Sequence, residues 1–177
     1  MVKKFYEDLA NAKKAEGIVL DILRNCSDEY SFVNVSDDKY YWHKGDIVIN
    51  DGLDDYYLDV KDDGCIYRTK NILAEHRVKY GSTWCDGFMQ NSQYDYVGYL
   101  SQPDNMLYIL DFALWKKYYL SKSQKHLYIP HSDQTTDAYL MSLKRAKELG
   151  IVLFTIEYKE DDGHYVPVEI MDNKGMA

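Results

Sequence analysis

Apolar residues recur at three- and four-residue steps over residues 4 to 25, at Phe5, Leu9, Ala12, Val19, Leu20 and Leu23, which predicts an amphipathic helix. Glu16 falls inside that stripe. Residues 30 to 43 alternate at Phe32, Val33 and Val35 and predict a strand, a turn at Ser36–Lys39 and the start of another strand. The stretch GDIVINDGLDDYYLDVK, residues 45 to 61, predicts a β-hairpin with its turn at Asn50–Gly52, and Asp62–Gly64 closes it. Ile66 and Tyr67 favour a short strand, and residues 71 to 79 fit strand or helix equally. Residues 81 to 92 have loop composition. Strands are expected over 94 to 100 and 106 to 112, with a turn at Pro103–Asn105 between them. Leu114, Tyr118 and Tyr119 share one side of a helix. Residues 139 to 149 predict a further helix that Gly150 terminates. The runs IVLFTIEY and HYVPVEI predict two late strands.

The order is one helix, three strands, a mixed segment, two strands, then helices and terminal strands. That is an α/β chain built on a central sheet. Its 177 residues fit one domain, with a core over about 5 to 120 and a C-terminal helix, strand and tail over 121 to 177. The net charge of −8 argues against a surface that binds nucleic acid everywhere. Positive charge gathers instead between Arg68 and Lys79 and between Lys116 and His126. Three cysteines without CxxC spacing suggest free thiols in a reducing compartment, so a cytoplasmic location is expected. The N-terminus has no apolar core of a signal peptide, and no apolar run is long enough to span a membrane. Eighteen tyrosines against five phenylalanines fit either wet, stacking surfaces or an A/T-rich coding bias.

The hairpin carries the candidate chemistry. Asp59 and Lys61 are two residues apart on one strand and project to the same face. The hairpin brings Asp46 alongside them. Mg²⁺ takes hard oxygen ligands and keeps several waters, so two carboxylates and a carbonyl suffice, here Asp46, Asp59 and the Val60 backbone. Lys61 is placed to orient or deprotonate a water, or to stabilise a phosphorane-like transition state. Glu16, a carboxylate on an apolar face, needs either a partner such as Lys13 or a place in the site. Asp54 and Asp55 are alternative ligands if the turn lies elsewhere, and Asp59–Lys61 also fits a simple surface pair. Arg68, Lys70 and Asn71 are candidate phosphate contacts, with Thr69 and Glu75 near them. Trp42 and His43 could meet a nucleotide, although packing is the ordinary role of Trp42. The histidines lack zinc spacing, and neither a GxSxG nucleophile nor a glycine-rich phosphate loop is present.

A Glu on the first helix, an Asp opening the second strand and Asp-Val-Lys on the third together resemble the PD-(D/E)XK nuclease superfamily, which includes restriction endonucleases and Holliday junction resolvases. The proline usual before the first Asp is Gly45 here. The resemblance covers roughly residues 5 to 80, with a looser echo to about 120. It implies a restriction-endonuclease-like core (αβββαβ) with a mixed central sheet flanked by helices. It also implies Asp46 and Asp59 as metal ligands, Lys61 as catalytic lysine and Glu16 as accessory acid. The implied cofactor is Mg²⁺, with Mn²⁺ as a substitute. The implied activity is endonucleolytic hydrolysis of DNA, by a homodimer of phage or mobile-element type. The alternatives are a catalytically inactive nuclease-fold module that binds DNA or a protein partner, and an unrelated α/β interaction protein with a Tyr-rich surface.

Overall fold

The computed structural model describes residues 2–121, 127–130 and 134–173, with side chains described from residue 6 onward and not at 130. The Phe5 side chain, the end of the basic run at Lys122–His126, His131 and the extreme tail lie outside the described residues. In chain order the elements are α1 (Val2–Cys26), β1 (Ser31–Asn34), β2 (Ile47–Asn50), β3 (Asp55–Asp62), α2 (Ile66–Thr69), β4 (Asn71–Tyr80), β5 (Thr83–Asp86) and α3 (Phe88–Asn91). There follow β6 (Tyr96–Ser101), β7 (Met106–Asp111), α4 (Phe112–Ser121), β8 (Leu127–Pro130), β9 (Gln134–Ser142), α5 (Leu143–Glu148), β10 (Val152–Asp161) and β11 (His164–Asp172).

The strands form a seven-stranded sheet in the order β1-β2-β3-β6-β7-β10-β11 and a four-stranded sheet in the order β5-β4-β9-β8. β3 and β6 run parallel, while the other described pairings of the large sheet are antiparallel, so the central sheet is mixed. The side-chain period of two sends neighbouring residues to opposite faces. Ile47, Leu58, Leu100 and Leu107 meet α1 through Ala15, Ile18, Val19 and Ile22. Val97, Tyr99, Tyr108 and Leu110 face the other way, onto Ile72 and Met141 of the small sheet and onto Trp115 of α4. The large sheet thus lies between α1 and a second layer made of the small sheet, α4 and α5. Tyr99 ties the two sheets directly. Its hydroxyl donates to the Leu73 carbonyl at 2.7 Å and accepts from the Leu73 N–H at 3.3 Å.

Several local expectations are corrected. The stripe of α1 is buried only from Ala15 onward, because Leu9 and Ala12 run past the sheet and are exposed. No strand starts between Ser36 and His43. Residues Lys39–Tyr41 form a 3-10 turn, which Asp38 caps through the Tyr40 N–H. Ile66 and Tyr67 lie in the single helical turn of α2, not in a strand. Residues 71 to 80 resolve as a strand, because they pair with β9 along nearly their whole length. The loop-like residues 81 to 92 contain β5 and the one-turn α3. Residues 139 to 142 belong to β9, and the helix starts only at Leu143, where the Ser142 hydroxyl accepts the Arg145 N–H. Helical propensity in LMSLKRAKEL loses there to pairing across the sheet. The crossover from β3 to β6 accordingly carries two one-turn helices and a β-excursion in place of one long helix.

Gly45 explains itself in this frame. Its φ is +134°, and a Cβ there would stand 2.7 Å from the Leu58 carbonyl oxygen. Proline, locked near −65°, has no access to that backbone. Gly45→Ala is expected to cost about 2–3 kcal/mol through strain and backbone overlap. A clear fall in the thermal unfolding midpoint would register it, and an unchanged midpoint would show that this constraint is slack.

Candidate metal and phosphate site

β3 is longer than its antiparallel neighbour. β2 pairs with it only from Asp55 to Leu58, while β6 pairs with it from Leu58 to Asp62. Residues 59 to 62 therefore have an open edge where β2 would continue. The chain just before β2 closes the first part of that edge. The Asp46 N–H donates to the Leu58 carbonyl at 2.9 Å, and Asp46 Oδ2 accepts the Val60 N–H at 2.8 Å. A side-chain carboxylate thereby replaces a strand carbonyl. N–H and C=O of one strand residue point to the same side, so the Val60 carbonyl shares this edge.

A hollow of about 500 Å³ occupies the remaining space between α1 and β3. Glu16, Asp46, Asp59, Val60, Lys61 and Asp62 line it, and Asp8, Asn11, Ala12 and Ala15 of α1 complete the wall. Asp59 is buried, and its Oδ2 has no hydrogen bond of acceptable geometry. Lys61 Nζ stands 2.8 Å from that same oxygen, so the contact is an ion pair without hydrogen-bond alignment. The Lys61 ammonium also lies 5.0 Å from the centroid of the Phe88 ring. Burial pulls its pKa down, but Asp59, with help from Tyr94 and Asp46, outweighs this and leaves it above the usual lysine value. Lys61 is therefore a fixed positive charge in this state.

Glu16 is 6% exposed although charged. Its Oε2 accepts from Asn34 Nδ2 at 3.1 Å and from the Ser36 hydroxyl, with Lys13 Nζ at 3.5 Å. Glu16 has a lysine partner, and it also borders the hollow. Burial is the main reason that the Asp46 carboxyl is pushed up to about 6, and repulsion from Asp59 and Glu16 adds to it. The Val60 N–H and Lys61 oppose the rise. Asp62, which composition placed in a solvated turn, ends β3 at the rim and accepts from Gln102 Nε2 at 2.7 Å.

Asp54 and Asp55 lie at the far end of the hairpin, where Asp55 accepts from Asn50 Nδ2 at 2.7 Å, and they do not line the hollow. Arg68, Lys70 and Asn71 do not line it either. Lys70 pairs with Asp104 at 3.2 Å and borders a different depression. Trp42 is not packed inside but 63% exposed. Sequence reasoning missed Tyr94 and Phe88, which come to Lys61 from 27 to 33 residues downstream with no motif to mark them.

The donor set suits a hard cation. Among the described residues no group of three or more His, Cys, Asp or Glu is gathered to hold an ion by itself. The Asp46 and Asp59 carboxylates and the Val60 carbonyl are hard oxygen donors of the kind Mg²⁺ takes in small number, with Lys61 already facing Asp59 Oδ2 at 2.8 Å.

Stability should follow the Asp46 shift. A carboxyl raised from 3.8 to about 6 by folding holds its proton more tightly in the native state. Its stabilising contribution is thus complete below the unfolded value and is lost as pH rises through about 6. With divalent ions chelated, Asp46→Asn is expected to raise stability at pH 7.5 by about 1–3 kcal/mol, a gain that disappears near pH 4. Urea unfolding at the two pH values measures this, and a variant less stable at pH 7.5 would refute it.

No family model matches the chain, and no curated protein matches it. Among solved structures it is similar to a bacterial homing endonuclease, I-Ssp6803I, at 9% sequence identity and a TM-score of 0.44, over 71% of this chain and 74% of that one. A likeness of that extent carries no argument about function, which has to come from the residues of the hollow.

Proposed function

We propose that the protein is a Mg²⁺-dependent nuclease of PD-(D/E)XK type that hydrolyses phosphodiester bonds in DNA. The observation that carries this reading is the meeting of Glu16, Asp46, Asp59 and Lys61 at one hollow, where Lys61 is ion-paired to the buried Asp59 carboxylate. The unrelated-interaction-protein reading offers no reason for that meeting.

The residues divide the work by charge. Asp46 and Asp59, with the Val60 carbonyl, would hold the cation, and Glu16 would reach it through water. When bound there, Mg²⁺ supplies Lewis-acid polarisation of the scissile phosphate and a lowered pKa for water. Lys61, kept protonated, donates to a phosphate oxygen or to the attacking water and stabilises negative charge as it develops. Asn34, Ser36 and Lys13 fix the position of the Glu16 carboxylate. Asp46 fixes the strand edge through the Val60 N–H, so one side chain both builds the site and serves it.

The alternative is an inactive module of the same fold. It is favoured by the ion pair of Lys61 with Asp59, which already balances one carboxylate, and by the net charge of −8. Metal titration separates the two. Under the nuclease reading, Mg²⁺ or Mn²⁺ at about 100 times its Kd stabilises the fold by about 2.7 kcal/mol, an effect absent in Asp59→Ala. Cleavage of labelled linear, branched and single-stranded DNA should need the metal. It should fall at least about 100-fold in Lys61→Ala and in Asp59→Ala with circular dichroism unchanged. Saturable metal binding without cleavage of any substrate, or equal activity in the variants, would turn the assignment to the binding module.

A further inference from the structure

The segment leading into Asp46 exposes two large aromatic rings, Tyr40, which meets Tyr41 edge to face and accepts from Lys44 Nζ at 3.0 Å, and Trp42. Tyr40 is 68% exposed and Trp42 63%, on a turn that is fastened at both ends. Asp38 caps the turn, the Tyr41 carbonyl accepts the Lys44 and Gly45 N–H groups, and the His43 carbonyl accepts the Gln93 N–H at 2.9 Å. Two large rings left in water forgo hydrophobic free energy that burial would have recovered. Cations sit among them. Lys44 Nζ is 4.2 Å from the Tyr40 ring centroid and 5.1 Å from that of Tyr57, and Lys39 Nζ is 5.8 Å from that of Trp42. The adjacent acids are engaged elsewhere, Asp37 with Lys13 at 2.8 Å and Asp38 as the cap. Lys39 and Lys44 thus bring two positive charges to the rings, beside the Asp38 carboxylate.

Its position relates it to the hollow. Lys44 is two residues before Asp46, and Tyr57 is two residues before Asp59 on the same face of β3. Ring faces paired with ammonium groups are the elements that take a nucleobase and its phosphate. In a duplex the base faces are stacked against each other, so exposed rings on a turn gain little from it. An unpaired base offers its whole face.

We propose that Tyr40, Trp42 and Lys44 form a stacking platform for an unpaired nucleobase beside the scissile phosphate, and that the substrates are DNAs with single-stranded character, such as ends, flaps and branches. This rests on the nuclease reading for the fate of the phosphate, but the platform itself is measurable without cleavage.

The test is fluorescence anisotropy in EDTA with a fluorescein-labelled oligo-dT of about 12 nucleotides, set against a blunt duplex of the same length. The wild type should bind oligo-dT more tightly. Trp42→Ala and Tyr40→Ala should each weaken that binding about tenfold, and Trp42→Phe should keep most of it. Lys44→Ala should reduce the slope of log affinity against log salt by about 0.7. Tighter binding of duplex, or oligo-dT affinity unchanged in Trp42→Ala, would overturn the platform. Metal-dependent cleavage together with Trp42-independent binding removes the platform and leaves the nuclease. Trp42-dependent binding with no cleavage of any substrate upholds the platform and removes the nuclease.

Discussion

The hydrogen bond from the Val60 N–H to the Asp46 carboxylate is the contact on which the candidate site depends. β3 outruns β2 by four residues, and a strand edge inside a folded protein cannot be left without partners. A side chain finishes the ladder in place of a strand. That substitution leaves room beside β3 that a continuing strand would have filled. The hollow that Asp46, Asp59 and Lys61 line owes its room to it. Gly45 supports the same contact, because only a residue without Cβ can approach Leu58 closely enough for Asp46 to reach the edge.

The electrostatics follow from this crowding. Five carboxylates, Asp8, Glu16, Asp46, Asp59 and Asp62, border one hollow, with one lysine ion-paired to the buried Asp59. Burial and mutual repulsion raise Asp46, while the same charges hold the Lys61 proton in place. A site of this kind is under tension at neutral pH and gains from any added positive charge. Stability and chemistry are coupled through the same atoms, and removing a charge can strengthen the fold while it disables the site.

The tyrosine excess has a structural use that composition alone left open. Tyr99, Tyr108, Tyr119 and Tyr139 are buried in the layer between the two sheets, where a phenol fills volume and can still satisfy a polar group. The two bonds between the Tyr99 hydroxyl and Leu73 show this: they join the sheets across an apolar core. Other tyrosines, Tyr40 among them, remain at the surface.

Local pattern was enough to find the hairpin over residues 45 to 61, because its turn and its alternation lie within one short stretch. It also singled out Glu16, since a carboxylate in an apolar stripe is conspicuous without any knowledge of what faces it. The strand identity of residues 71 to 80 and 134 to 142 was beyond its reach. Those strands pair with each other across about sixty residues, and for the second of them local helical preference pointed the other way. Trp42 has the composition of a core residue, and only the surrounding chain shows that nothing covers it. The residue types of the site were thus written in the sequence. Their convergence was decided by the tertiary structure, because the length difference between two paired strands is set by long-range packing and leaves no local signature.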